Sequence, residues 1–125
     1  MLRFRVLEPE LAVVRRDDED PLARRDPGGE LWAVLRTPGE LTVVCEASHV
    51  PAGAQAESGW MALALQGPFP FGATGVLAAV AVPLATAGIP IFALSTFDTD
   101  VVLVKRAQLD RALEALREAG HTLVT

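Results

Sequence analysis

The chain has 125 residues, half of them apolar, with 11 basic and 16 acidic side chains and a formal charge of −5. That length holds one ordinary domain or two closely fused small modules, and the apolar share is enough for a core. Scattered Lys and Arg in an acidic chain exclude a nucleic-acid surface, which needs clustered cations, and no apolar run approaches the ~18 residues of a membrane span, which excludes a membrane partner.

Met1-Leu2-Arg3-Phe4-Arg5 opens in a strand-like alternation, without the charged-then-apolar layout of a secretory leader, so the expected location is cytoplasmic. The first half offers four strand candidates, residues 3–7, 12–15, 30–36 and 41–46, and no convincing helix. Thr37-Pro38-Gly39-Glu40 is hairpin-turn chemistry between the last two. Residues 15–26 mix both charge signs and read as a solvated loop or short surface helix. Cys45, in an apolar run and alone in the chain, reads as a small core residue. Residues 49–59 hold Pro51, Gly53 and Gly59 and read as the connection.

From Trp60 onward the pattern sharpens. Residues 60–66 have a strand's apolar content, which Gly67-Pro68 ends. Residues 75–87 form a helix with Val76, Leu77, Val80 and Leu84 on one face; Pro83 bends it and Gly88 stops it. It is apolar nearly all round, which predicts burial on more than one side. Residues 90–96 and 101–104 pair as a hairpin through the turn residues Phe97-Asp98-Thr99-Asp100. Residues 108–119 are the most amphipathic segment, with Leu109, Ala112, Leu113 and Leu116 inward, and residues 121–124 add a last strand. The order β-α-β-β-α-β is that of an α+β, ferredoxin-like fold, with the two helices on one face of an antiparallel sheet.

Three strings in this half are specific: Gly67-Pro68-Phe69-Pro70-Phe71-Gly72-Ala73-Thr74-Gly75-Val76-Leu77-Ala78, then Ala87-Gly88-Ile89-Pro90-Ile91-Phe92-Ala93-Leu94-Ser95-Thr96-Phe97-Asp98-Thr99-Asp100, then Val101, Leu103 and Val104. They resemble the ACT-domain family, in particular small tandem-ACT proteins related to the cytosolic arginine sensors of the TOR pathway. The resemblance implies an ACT domain over residues 60–125, preceded by a shortened, degenerate, β-rich ACT-like half over residues 1–59. It also implies a regulatory small-ligand site, with an amino acid as the ligand, on the loop before the first helix and on the hairpin. The site residues are then Phe71, Gly72, Ala73, Thr74, Gly75 and Val76 on the loop and helix start, and Ser95, Thr96, Phe97 and Asp100 on the hairpin. By that match Asp100 would pair a ligand ammonium or guanidinium, with Thr96 and Phe97 giving backbone contacts.

The chemistry of these residues agrees. Gly72 and Gly75 bare the backbone at a helix start, where unpaired N–H groups favour a carboxylate. Asp98 reads as a turn former. The first half lacks a full glycine loop, so a site built between modules would need a second chain, and a homodimer is expected with residues 75–87 near its interface. His49 and His121 read as surface residues without metal-ligand spacing, so no metal is expected. No nucleophile has its base and no phosphate loop is present, which predicts a non-catalytic chain without a cofactor. The competing expectation is a protein-interaction module that keeps the fold without a ligand.

Overall fold

The computed structural model describes residues 1–125, which divide into two compact units, one made of Met1–Glu8 with Met61–Thr125 and the other of Pro9–Trp60. The first carries the two longer helices. Its strands are β1 (Arg3–Val6), the second half of β5 (Ala56–Leu65), β6 (Phe92–Ser95), β7 (Asp100–Lys105) and β8 (Thr122–Leu123), with helices α2 (Val76–Thr86) and α3 (Leu109–Glu118). No helix is long and apolar enough to cross a membrane.

From β5 to β8 the element order is the expected β-α-β-β-α-β. The strand order is β8-β1-β5-β7-β6, with β1 antiparallel to β5 and parallel to β8. The ferredoxin-like frame therefore holds one extra strand. Sequence reading groups residues 3–7 with the first half, whereas Phe4 faces Leu65 and Leu123 in the registers of β1 with β5 and β8.

One face of this unit forms the core: Phe4, Leu63, Leu65, Val102 and Val104 from strands, Val80 and Leu84 from α2, Ala112 and Leu116 from α3. The pairs 63/65 and 102/104 follow the two-residue strand period, and 80/84 and 112/116 the helical one. Both helices stop the same way. Ile89 N–H donates to Leu84 O and His121 N–H to Leu116 O across a glycine, the six-to-one bond of a Schellman cap.

Two expectations for this unit change. Helix α2 is buried along one stripe only, and Val82 on its other side is 61% exposed, because within the unit the sheet and α3 cover a single face. His121 is buried, not at the surface: its Nδ1 accepts from Leu2 N–H at 3.0 Å and its Nε2 lies 2.7 Å from Ala79 O. With Nδ1 accepting, the proton sits on Nε2 and is donated to Ala79. The reason this carbonyl needs a donor is Pro83, which has no N–H to give to the residue four before it.

The second unit is an antiparallel sheet in the order β3 (Ala33–Thr37), β4 (Glu40–Glu46), β2 (Leu11–Arg16) and the first half of β5. All four strand positions read from the first half are strands in the structure, and the charged stretch holds a single helical turn, α1 (Pro21–Arg24). Its core is Ala12, Val14, Leu22, Val43 and Cys45, where burial raises the Cys45 thiol above its ordinary range, so it stays protonated. Strand β5 begins at Ala56, inside the expected connection. Leu11 faces Trp60 but Val13 faces Glu57, so β5 carries one extra residue there. Gly59, at φ 83°, takes the left-handed turn that this bulge requires.

Asp20 organises the start of α1. Its Oδ1 accepts from Leu22 N–H at 2.8 Å, and its Oδ2 from Arg16 Nε at 2.8 Å. The Arg16 guanidinium, helped by the Leu22 N–H, holds the Asp20 carboxyl below the ordinary carboxylate range.

Candidate functional site

The end of β5 and the loop after it are tied to the β6–β7 hairpin by two bonds, and a third closes the hairpin itself. Phe69 N–H donates to Asp98 O at 2.8 Å, Thr99 Oγ1 donates to Leu65 O at 2.8 Å, and Thr96 N–H pairs with Thr99 O at 2.8 Å to close the hairpin. Gly67 is the residue that permits this approach, since a Cβ there would stand 2.7 Å from Asp98 O and 3.2 Å from Thr99 Cβ. At the outer edge Phe71 and Phe97 meet edge to face, with ring centres 4.9 Å apart. Both rings are more than three-quarters exposed.

Between these segments lies an open cavity of about 230 Å³. Of the expected residues, Phe71, Ala73, Val76, Ser95, Thr96, Phe97 and Asp100 line it; Gly72, Thr74 and Gly75 do not. Gly75 acts one step back, at the N-terminal boundary of α2, with φ 80° and its carbonyl accepting from Ala79 N–H at 2.9 Å. No side chain caps the helix, so the N–H groups of its first turn lack intrahelical partners and Val76 brings that end to the cavity wall. Around Gly72 a Cβ would touch nothing within 4 Å, so the backbone is not crowded there.

Sequence reasoning missed Phe69, Pro70, Asp98 and Thr99, which also line the cavity. Asp98 was legible only as a turn residue, and Gly67 only as a strand stop. The lining holds two carboxylates and no Lys or Arg. Asp100 Oδ1 accepts from Ser95 Oγ at 2.5 Å, across a register pair of the hairpin, which fixes the carboxylate at the cavity wall. Chemically the cavity offers helix N–H groups to an anion, acids and hydroxyls to a cation, and aromatic faces to an apolar or cationic group.

A bigger cavity of about 580 Å³ lies in the second unit between the end of β2 and the β3–β4 turn. Its arginines are already neutralised, Arg16 by Asp20 and Arg36 by Asp18 at 3.3 Å, and Glu40 faces Arg15 at 3.6 Å. It offers a ligand no free charge of either sign from those groups.

A comparison with curated proteins finds no match. Among solved structures the chain is similar to protein Atu0741 from Agrobacterium tumefaciens, at 33% identity and a TM-score of 0.89 over 98% of this chain and 92% of that one. Two others share the fold: VC0802 from Vibrio cholerae, at 24% identity and a TM-score of 0.74 over 94% and 89% of the two chains, and the regulatory subunit of aspartate kinase from Thermus thermophilus, at 14% and 0.62 over 93% and 95%. A family model for the ACT domain matches residues 55–118, the stretch that carries the β5 strand, the cavity and both longer helices, and the chain therefore belongs to the ACT-domain family.

Proposed function

We propose that this chain is a non-catalytic regulatory protein that binds an amino acid in the cavity between the loop after β5 and the β6–β7 hairpin. One observation carries the reading: an uncapped helix N-terminus and two carboxylates line the same metabolite-sized space. A zwitterion complements such a wall, its carboxylate toward α2 and its ammonium toward Asp98 and Asp100. The resemblance to arginine sensors, and a structural relative that is itself a regulatory subunit, support the same role. In that reading residues 1–59 supply the degenerate partner module of a tandem pair in the cytoplasm.

A thermal-shift panel of amino acids at millimolar concentration tests this, since a ligand bound only by the native state raises its melting temperature. At least one amino acid is expected to do so, and Asp100→Asn is expected to weaken it about tenfold, the effect of one charge-assisted bond. A flat response from the whole panel ends the reading. The solvent face of α2 around Val82 is the surface offered to a second copy, so light scattering at micromolar concentration should return twice the 13.3 kDa chain mass. A monomer mass would remove the dimer.

A further inference from the structure

The second unit holds a cavity of about 310 Å³ walled by Pro21, Leu22, Pro27 and Pro51, with Arg25 and His49 as its open polar groups. Asp20 also lines it, but both of its oxygens are engaged, one by Arg16 and one by Leu22 N–H. The unit contains five arginines, and Arg15, Arg16, Arg24 and Arg36 each pair with a carboxylate. Arg25 does not. Its neighbour Asp26 accepts from Gly28 N–H at 2.8 Å instead, which leaves the Arg25 guanidinium facing solvent and the cavity.

His49 is the second anomaly. It is half-buried, its Nδ1 is shut off from solvent, and it bonds to no protein group. The ring nitrogen left accessible is Nε2, and with no protein bond fixing the tautomer it is free to present an N–H to the cavity.

We propose that this cavity is a binding site for a small monocarboxylic acid with an apolar tail, separate from the amino-acid site of the other unit and not dependent on it. The carboxylate takes the Arg25 fork, which matches its two oxygens, and an N–H of His49. The tail lies against three proline rings and Leu22, whose stiffness lowers the ordering cost of binding. The volume stands at the small end of the range of about 300–1,000 Å³ for ligand pockets, which selects a short branched or single-ring acid.

The test is a titration of the full chain with phenylacetate and isovalerate, and with phenylacetamide and isovaleramide as uncharged twins, followed in amide nitrogen–proton spectra. The acids are expected to shift Leu22, Arg25 and His49, and the amides to bind at least about tenfold more weakly, as loss of a charge-assisted pair requires. Arg25→Gln is expected to cost the acids a similar factor while leaving the melting temperature unchanged, because the guanidinium makes no hydrogen bond or ion pair with the protein. His49→Gln, which keeps a donor of similar reach, is expected to retain part of the affinity. Equal response to acids and amides, shifts confined to residues 69–76 and 95–100, or undiminished binding by Arg25→Gln would overturn the proposal.

Discussion

Replacing His121 with leucine is expected to cost about 2–4 kcal/mol of stability, because it strands two part-buried backbone groups at about 1–2 kcal/mol each, in the lower part of the range for a lost partner. One is Leu2 N–H, which bonds to Nδ1, and the other is Ala79 O, which bonds to Nε2. The imidazole joins the first strand, the start of the last and the middle of α2, so its loss is felt by three elements at once. A double-mutant cycle with Pro83→Ala separates the two halves of the effect. An alanine at 83 supplies the N–H that Ala79 O otherwise lacks, so the leucine penalty should shrink by about 1 kcal/mol in that background while the Leu2 part persists. Urea unfolding of the four proteins measures this. Additive penalties would show that His121 does not serve the carbonyl that Pro83 leaves open.

Gly67→Ala is expected to damage the site more than any lining substitution. The new Cβ would fall 2.7 Å from a backbone oxygen, which cannot swing aside as a side chain end can. Loop and hairpin must part, breaking the Phe69 N–H bond to Asp98 O and loosening the Thr99 hydroxyl from Leu65 O. Overpacking of this kind costs about 1–3 kcal/mol, and the cavity walls move with it. The ligand-induced rise in melting temperature should disappear. Gly72→Ala is the control: its Cβ meets nothing within 4 Å, so both stability and ligand response should stay near those of the parent. A variant at 67 that keeps the full ligand response would detach the loop geometry from binding.

The second half was legible because its signals are local. Leu109, Ala112, Leu113 and Leu116 repeat at helical spacing, Gly88 and Gly120 each follow a helix C-cap, and the hairpin turn is written in Phe97-Asp98-Thr99-Asp100. What escaped was long-range. Nothing near residues 3–6 announces that they pair with β5 and β8. The strand start at Ala56 was masked by Gly59, whose bulge looks in sequence like a loop residue. The burial of His121 depends on a missing N–H in another element, a relation no single window contains. In the cavity, the family resemblance pointed to the hydroxyl and acid positions on the hairpin, whereas Phe69 and Thr99 join through backbone approach, and Gly67 permits that approach without giving any compositional sign.

The chain leaves the helical unit after Glu8 and rejoins it at Met61, and Leu7 N–H donates to Ala62 O at 2.9 Å, so exit and re-entry are next-door neighbours. Pro9–Trp60 is thus a cassette inserted in the chain between two antiparallel strands, β1 and β5. Such an arrangement lets the host keep every strand pairing while the guest varies in length, drifts in sequence or acquires an unrelated specificity, since only the two ends of the splice must stay adjacent.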